Sequence, residues 1–350
     1  MLIIGCDLHT RYQQIAMLDK ETGEVVEHRL EHESGETRAF YASLPCGAVV
    51  GIEATTPAHW FERMLTEFHH ELWVGDAAQI RAMSVRRQKH DPRDAWHLMD
   101  LMASGRFPRI WTPSPRERDL RQLLAHRDKL VRIRTAVKNQ LHALALSQGL
   151  CRGHRLWSAR GQAELQSLTL LPWAGRRRQD LRELLTPLDT TIAELDKAVA
   201  REAEAREEVK LLMTHPGVGP VVGLAFVLTL GAIERFPRSK QVVSYLGLNP
   251  REHSSGGRQR LGRISKQGNV MLRWLLVEAA QTAARFDPEL HRRYHRLKFR
   301  RGSSLAKVAI ARQLAVRLYW MLRNQKGYAQ LVRMQGSPGS GVVDPGPSTN

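Results

Sequence analysis

The sequence predicts an α/β domain at the N-terminus, followed by a longer and mostly helical chain. Up to residue 112, short apolar runs typical of strands alternate with amphipathic segments, whereas beyond it apolar residues recur at helical spacing. The charge also changes along the chain: residues 1–79 carry 5 Lys/Arg and 13 Asp/Glu, a net of −8, whereas residues 80–350 carry +26. An acidic module joined to a strongly basic remainder indicates a protein that binds nucleic acid.

The N-terminal domain is predicted over residues 1–112. Its first three strands are expected at Leu2–Asp7, Gln14–Leu18 and Glu24–Leu30. Helix and strand then alternate, with helices near 35–43, 57–68 and 92–104 and strands near 48–53 and 71–74. A three-stranded meander followed by alternating helices and strands is the order of elements in a ribonuclease-H-like fold. Phe107-Pro108 and the prolines at 113 and 115 then break the chain.

Two long helical segments are predicted over residues 113–212. Their apolar stripes run every seven residues in the first segment and every three or four in the second: Leu123, Leu130, Val137, Leu144, and Leu181, Leu184, Leu188, Ile192, Leu195, Val199. Such stripes predict a coiled-coil arm, or alternatively two helices of an ordinary bundle. Pairing across chains would make an oligomer, which we favour over pairing within one chain. Arg127 and Arg134 interrupt the first stripe. This pattern suits a helix of which one face contacts the phosphates of a nucleic acid.

The third region, residues 213–334, is predicted to be mostly helical. It begins with Pro216-Gly217-Val218-Gly219, which resembles the hairpin of a helix-hairpin-helix. Gly217 and Gly219 would let backbone N–H groups approach a phosphate. A tight turn between two helices, without a role in phosphate binding, would have the same sequence pattern. Residues 335–350 are rich in Gly, Ser and Pro and are predicted to be a disordered tail.

Four carboxylates have the spacing of a metal site. Asp7 and Glu53 each close an apolar strand, and Asp91 and Asp94 lie three apart at the start of a helix, where they share a face. Acids at strand ends and at a helix start can converge where a sheet meets its flanking helix. Oxygen ligands suit Mg²⁺, and two such ions can clamp the attacking and leaving oxygens of a phosphodiester.

The segment from Tyr245 to Asn269 is rich in Gly, Ser and Arg and lies between apolar helical segments. It predicts a flexible phosphate-binding loop, which the residues favour over a nucleophile, because a serine must be activated by a neighbouring charge or base. The basic residues predicted to contact nucleic acid here are Arg251, Arg258, Arg260, Arg263 and Lys266. Others lie beside the helix acids (Lys89, Arg93) and in a run with six cations and no acid (Arg292, Arg293, Arg296, Lys298, Arg300, Arg301).

Composition predicts a soluble protein of a reducing compartment. The three cysteines, Cys6, Cys46 and Cys151, form no metal or disulfide pattern. No signal peptide is evident, and the longest apolar candidate, Val221–Leu230, is too short to span a membrane. We therefore expect a cytoplasmic protein, associated with the nucleoid when bound to DNA.

In these motifs the chain resembles the insertion-sequence-110 family of transposases, the DEDD recombinases guided by a bridge RNA. The resemblance covers most of residues 2–324 and rests on five motifs: Gly5-Cys6-Asp7, Ile52-Glu53-Ala54-Thr55, Lys89-His90-Asp91-Pro92-Arg93-Asp94-Ala95, Pro216-Gly217-Val218-Gly219 and the Tyr245–Asn269 loop. It implies a RuvC-like domain with a four-acid metal site, a coiled-coil arm, and a C-terminal transposase domain with a catalytic serine. The Pro-Arg-x-x-x-Ser-Gly pattern places that serine at Ser255. Thr56 and His90 depart from the family pattern, and Ser254 is a second candidate nucleophile.

The resemblance implies an RNA-guided recombinase that excises and inserts its mobile element. A guide RNA would pair with donor and target DNA, Mg²⁺ would be held by the four acids, and Ser255 would form a covalent phosphoserine link. Because one chain offers one such serine, a homo-oligomer (a dimer or tetramer) is expected. Two alternatives remain open: a junction nuclease that uses water as the nucleophile, and a non-catalytic nucleic-acid-binding scaffold.

Overall fold

The computed structural model describes residues 1–54, 58–84, 91–252 and 260–336. They form two compact units, one that ends at Thr112 and one that begins at Pro113. Within these ranges, none of the helices combines the length and apolar character needed to cross a membrane. The predicted tail lies largely outside the described residues.

The first unit is built on a five-stranded mixed sheet. Its strands are β1 (Leu2–Leu8), β2 (Tyr12–Asp19), β3 (Val25–Glu31), β4 (Val49–Glu53) and β5 (Glu71–Gly75), in the spatial order β3-β2-β1-β4-β5. The first three form an antiparallel meander, and β4 and β5 run parallel to β1. The predicted mixed α/β unit is confirmed, and this strand order is consistent with a ribonuclease-H-like fold.

Four helices flank this sheet: α1 (Glu36–Ser43), α2 (His59–Glu67), α3 (Ala77–Met83) and α4 (Asp91–Ala103). The sequence did not predict α3, which has seven residues and buries only Ile80. Its start is fixed by Asp76, whose carboxylate accepts a hydrogen bond from the Gln79 N–H at 2.9 Å.

The two faces of the sheet bury different residues, because side chains alternate along each strand. Ile4 and Cys6 of β1 share one apolar cluster with residues of α1 and α2. Ile3 belongs to a second cluster, which contains residues of α4. Gly5 and Asp7, two and four residues after Ile3, therefore lie on the face of the sheet that α4 covers.

Helix α4 lies directly on β1 and β4 because glycines face it. An ideal Cβ atom on Gly5 would lie 2.1 Å from the Ala95 carbonyl oxygen and 2.4 Å from the Met99 nitrogen. One on Gly51 would lie 2.2 Å from the Met102 sulfur. Any side chain at Gly5 would thus push the helix backbone away from the strand.

The second unit is mostly helical. Its helices are α5 (Pro115–Ser147), α6 (Ala159–Ser167), α7 (Pro172–Glu204), α8 (Glu207–Met213), α9 (Pro220–Leu230), α10 (Ser239–Tyr245), α11 (Val270–Phe286), α12 (Pro288–Arg301), α13 (Ser303–Asn324) and α14 (Tyr328–Gly336). Two short antiparallel strands, β6 (Pro250–Glu252) and β7 (Leu261–Ile264), interrupt them. The predicted helical C-terminal region is confirmed, whereas α6 and the β6–β7 pair were not predicted.

The long helices α5 and α7 pack against each other within one chain. Val137 and Leu141 of α5 share a buried cluster with Leu181 and Leu185 of α7. Leu184, which the predicted stripe includes, is 52% exposed. The buried part of the two stripes is therefore occupied within this chain, whereas Leu184 stays exposed. Whether the pair is a coiled-coil arm stays a prediction.

The helical pair and the C-terminal helices share one core. Leu120 and Leu124 of α5 and Val199 of α7 belong to the same buried cluster as Leu276 and Leu314, which lie on α11 and α13. The predicted boundary between residues 212 and 213 therefore does not separate two compact bodies.

Substituting Gly5 should loosen α4 from the sheet. We expect Gly5→Ala to destabilise the first unit by about 1–3 kcal/mol, because the added methyl group meets helix backbone that cannot rotate away. Urea unfolding followed by circular dichroism measures the effect. The control is Gly175→Ala in α7, where no atom lies within 4 Å of the added carbon and alanine favours the helix. Equal stability of Gly5→Ala and the unsubstituted protein would contradict the packing argument.

Candidate metal centre and nucleic-acid surface

Asp7 and Glu53 lie side by side at the ends of two neighbouring parallel strands. Cys6 of β1 is paired with Ile52 of β4, so Asp7 and Glu53 are each one residue further along. Both lie on the face of the sheet that α4 covers, two residues after Gly5 and Gly51 respectively. Their side chains are 22% and 31% exposed. The edge of the sheet thus presents two adjacent carboxylates that are each partly exposed.

Helix α4, which packs on β1, carries the other two predicted acids in its first turn. Asp94 precedes Ala95, whose carbonyl oxygen lies against Gly5, and it is half-buried. Asp91 is the first residue of α4, but its side chain lies outside the described part of the chain. Among the side chains that are described, no three His, Cys, Asp or Glu residues are grouped closely enough to hold a metal ion. The four-acid centre therefore stays a prediction, with Asp7 and Glu53 at adjacent strand positions and Asp94 on the helix that packs on β1.

Two basic residues that the sequence analysis did not single out lie beside the acids. His9 Nε2 is 3.1 Å from an Asp7 carboxylate oxygen, and an Arg81 guanidinium nitrogen is 3.8 Å from Glu53 Oε1. His9 could have been predicted to lie beside Asp7 from the Asp-x-His spacing at the end of β1. Arg81 could not be placed from sequence, because it lies on the unpredicted helix α3.

The donor atoms suit a hard divalent cation. Asp7, Glu53 and Asp94 offer only oxygen, which Mg²⁺ prefers to nitrogen or sulfur. Cys6, the neighbouring thiol, points to the opposite face and is fully buried, and burial raises its pKa well above the ordinary value. It remains a neutral core residue, and the carboxylates are the groups that could hold the ion.

The cationic run forms the exposed surface of α12. All six predicted residues on this helix are exposed, and within the described part of the chain none of them pairs with a carboxylate. Phe299 lies among them with 94% of its surface exposed. An aromatic ring surrounded by cations is typical of a surface that binds nucleic acid, since bases stack on such rings. The sequence analysis did not single out this phenylalanine.

A buried ion pair holds α12 in place. Asp287, only 2% exposed, caps the helix by accepting from the Leu290 N–H at 2.7 Å. Its other carboxylate oxygen accepts from Arg317 of α13 and from the Tyr328 hydroxyl, each at 2.5 Å. Burial alone would raise the pKa of Asp287, but the hydrogen bonds from Leu290, Tyr328 and Arg317 keep it below its ordinary value. The charged form is thus kept, and it fixes the cationic helix to the core.

The predicted phosphate-binding loop is partly ordered as strands. Arg251 lies on β6, where its guanidinium donates to the Ser265 carbonyl oxygen at 3.3 Å. Arg260, Arg263 and Lys266 are exposed on or beside β7. Ser254, Ser255 and Arg258 lie in 253–259, and Lys89 lies in 85–90, so these four residues are outside the described part of the chain. Arg93 is described and lies exposed on α4.

Gly217 has a packing role that the hairpin prediction did not include. Its φ is +87°, and an added Cβ would lie 2.6 Å from the Ala279 carbonyl oxygen of α11. Glycine is required there because the turn between α8 and α9 touches another helix. Gly219 caps α9 and has open space around it. The two helices and their turn are present, and phosphate binding by this turn stays a prediction.

Arg127 and Arg134 lie in a different environment from the one predicted. Arg127 Nε is 2.7 Å from Asp196 Oδ1, and an Arg134 guanidinium nitrogen is 3.1 Å from Asp189 Oδ1. Both acids belong to α7, so these arginines join the two long helices rather than forming a face of unpaired cations. Their contact with nucleic acid stays untested.

Comparisons with known proteins relate both ends of the chain to transposases. A family model described as "Transposase", for the DEDD proteins of IS110 type, matches residues 4–148, and one described as "Transposase IS116/IS110/IS902 family" matches residues 209–295. A "Probable family 20 transposase" of Pseudomonas aeruginosa is 28% identical over 92% of this chain and 97% of its own length. The transposase for insertion sequence element IS1111A of Coxiella burnetii is 29% identical over 93% of this chain and 91% of its own.

The buried His215, just before Gly217, should make the second unit sensitive to acid. It is 1% exposed, packs on the Tyr328 ring at 4.7 Å and contacts the Pro216 carbonyl oxygen through Nδ1 at 2.9 Å. Burial lowers its pKa to about 4. The unfolded chain, with an ordinary histidine pKa near 6.5, therefore binds more protons below that pH. Stability should fall on the order of 2 kcal/mol between pH 7 and 5.

His215→Gln should flatten this pH dependence, whereas His126→Gln, at an exposed position on α5, should leave it unchanged. Thermal unfolding midpoints at pH 7 and pH 5 provide the measurement. The same pH dependence in His215→Gln as in the unsubstituted protein would show that another group is responsible.

Proposed function

The chain belongs to the IS110 family of transposases, enzymes that cleave DNA and transfer its strands, and we propose that it does so with a carboxylate centre and a separate serine. The placement of Asp7 and Glu53 on adjacent strand ends beneath α4 carries this proposal. It supports a hydrophilic, negatively charged centre on the acidic unit, while the second unit presents the cations that DNA requires.

The family implies a divalent metal ion, and we propose that this ion is Mg²⁺, held by Asp7, Glu53, Asp91 and Asp94. When bound, it would stabilise the negative charge that develops on the scissile phosphate. His9 would keep the Asp7 carboxylate oriented, since its imidazole lies 3.1 Å away. Arg81 would offset part of the repulsion between the acids when no ion is bound.

We propose that Ser255 is the nucleophile, by its position in the family motif. Its hydroxyl oxygen would form an ester bond to the backbone phosphorus, the phosphodiester bond to the leaving DNA oxygen would break, and that oxygen would take up a proton. Arg251 and Arg263, on the strands that flank residues 253–259, and Arg260, just before β7, would stabilise the charged phosphate. Reversal of the same step with another strand's hydroxyl would rejoin the DNA in exchanged order.

We further propose that a guide RNA pairs with donor and target DNA and selects the sites. The exposed cations of α12 suit recognition of phosphates, which positions a nucleic acid without reading its sequence. Because each chain supplies one serine and strand exchange requires several cuts, the active assembly would be a homo-oligomer. The helical stripes do not set its number of chains, because most of their residues pack within the chain.

A covalent adduct distinguishes this proposal from a nuclease that uses water. With a nicked suicide DNA substrate and Mg²⁺, the unsubstituted protein should become linked to DNA, and peptide sequencing should place the phosphate on Ser255. Ser255→Ala should form no adduct, and Asp7→Asn should lose both adduct and cleavage. Ser254→Ala serves as the matched control and should behave like the unsubstituted protein.

Cleavage by Ser255→Ala without any adduct would contradict the serine mechanism and favour the nuclease. An adduct in Ser255→Ala that disappears in Ser254→Ala would move the nucleophile by one residue. If no protein cleaves DNA under any metal condition, the scaffold alternative is favoured.

The cations of α12 should contribute most of the salt dependence of binding. Replacing Arg292, Arg293 and Arg296 by Ala should lower the slope of log K against log salt by up to about 3, since each phosphate contact contributes about 0.9. A control triple variant, with Arg132, Arg160 and Arg176 replaced by Ala, loses the same formal charge. Those three arginines pair with carboxylates on their own helices. Equal slopes for the two triple variants would contradict a specific role for α12.

A further inference from the structure

A cleft of about 570 Å³ lies in the second unit at the base of the β6–β7 pair. Its lining comes from α5 and α9, from residues 236–245, which include α10, and from the segment before α11. The lining residues are Arg121, Thr229, Phe236, Gln241, Ser244, Tyr245, Gln267, Gly268 and Asn269. The volume falls in the range of sites that bind small molecules or single chemical groups. None of the roles proposed above uses this cleft.

The walls of the cleft combine an exposed aromatic ring with amide groups. Tyr245 is 40% exposed and packs edge-on against the buried ring of Phe236, with 5.3 Å between the ring centroids. The packed edge holds the tyrosine ring in place. Gln241 and Gln267 are exposed at the rim and present amide groups that can donate and accept hydrogen bonds.

One arginine lines the cleft, and a second lies over two of its aromatic rings. Arg121 lines it, and its Nε donates to the Leu228 carbonyl oxygen at 2.9 Å. Arg235 lies over the ring of Phe236 at 5.1 Å and over the ring of Tyr245 at 5.7 Å. A ring flanked by guanidinium groups attracts an anionic ligand that has a flat aromatic part.

The backbone that forms the cleft is held rigidly. Gly247 and Gly268 have φ values of +66° and +70°, and an added Cβ on either would lie 2.1 Å from a carbonyl oxygen of the other segment. Arg273, only 8% exposed, donates to the Leu246 carbonyl oxygen at 3.2 Å and also to the Gln267 carbonyl oxygen. Rigid walls lose little entropy on binding, which favours a preformed site.

The cleft is continuous with the strands that flank the serine segment. The Ser265 N–H donates to the Asn249 carbonyl oxygen at 2.7 Å, and the Lys266 N–H donates to the Gly247 carbonyl oxygen at 3.2 Å. Residues 247–249 and 265–266 therefore join the cleft wall to β6 and β7. A DNA strand bound along this cationic pair of strands would pass beside the cleft.

We propose that the cleft binds one unpaired DNA base, stacked on Tyr245, while the adjoining phosphate lies near Arg121 and Arg235. Every base has a flat face for stacking and an edge that amides such as Gln241 and Gln267 can contact. Holding one base out of the helix would open the strand at the point of cutting. The inference rests on the proposed function, because it requires DNA to bind along β6 and β7.

Matched DNA duplexes test the proposal with the full-length protein. One duplex is fully paired, and the other has the same length and a single unpaired 5-iodouracil nucleotide. Fluorescence anisotropy should show tighter binding of the second duplex. Tyr245→Ala should weaken that binding about tenfold, as expected for the loss of one stacked base, and should change binding of the paired duplex less than about twofold. Tyr245→Phe should retain the preference, and irradiation should link the iodouracil to Tyr245.

Two further variants control the interpretation. Ser244→Leu fills the cleft from an exposed position on α10 and leaves Tyr245 in place, so it should also abolish the preference. Trp173→Ala removes an aromatic side chain that is 85% exposed elsewhere in the unit, and it should have no effect. If Tyr245→Ala does not fold, Ser244→Leu decides the question.

Several results would overturn the inference. These are an equal loss for both duplexes, no loss in either cleft variant, a cross-link at Phe299 in place of Tyr245, or a preference shown for an unpaired RNA base and not for DNA. DNA binding with no preference for the unpaired base would reject the cleft and leave the proposed function standing. Failure of the unsubstituted protein to bind either duplex would reject the proposed function and the inference together.

Discussion

The close contact between α4 and the sheet is the constraint on which the carboxylate centre depends. Gly5 and Gly51 lack the side chains that would separate the helix from β1 and β4. Because strand residues alternate, the same face presents Asp7 and Glu53 two positions later. The same contact buries Ala95 and Met99 and holds α4, which begins at Asp91, on the face of the sheet that carries Asp7 and Glu53. Packing and chemistry are coupled at this place, since a larger residue at position 5 would change both.

The second unit couples packing to charge in a different way. The cations of α12 would repel one another on a mobile segment, and here the helix is fixed to the core through Asp287 and Arg317. A buried pair of this kind adds little stability by itself, but losing one partner would leave a buried charge uncompensated. The unit thus presents six exposed cations on a helix that is anchored to its core.

Much of the first unit could be predicted from the sequence, because two of its central strands, β1 and β4, are apolar runs with an acid at or next to the end. Strands β1 and β4 were placed within one residue at each end. Helix α3 could not be predicted in this way, because only Ile80 of its seven residues is buried. Its position depends on contacts from elsewhere, including the approach of the His97 ring to the Ile80 carbonyl oxygen at 3.3 Å.

The second unit was harder to predict, because its details depend on residues far apart in the chain. Arg127 has the spacing of a solvent-facing cation, and its partner Asp196 lies 69 residues away. Strands β6 and β7 are three and four residues long, which is too short for an alternating pattern to be recognised. Their pairing depends on the close backbone contacts at Gly247 and Gly268, which bring the two chain segments together. The cleft beside Tyr245 has no signal in sequence, since its lining residues come from four segments that are separate in the chain.

The central claim is that Asp7 and Glu53 belong to one centre that holds a divalent ion. Calorimetric titration of the full-length protein with Mg²⁺ tests it without requiring cleavage. The account predicts saturable binding that weakens at least about tenfold in Glu53→Gln, since even the loss of an outer-shell partner commonly has such an effect. Asp19→Asn, at a strand end where the carboxylate is 34% exposed, should bind as the unsubstituted protein does. Equal affinity of Glu53→Gln and the unsubstituted protein would contradict the claim.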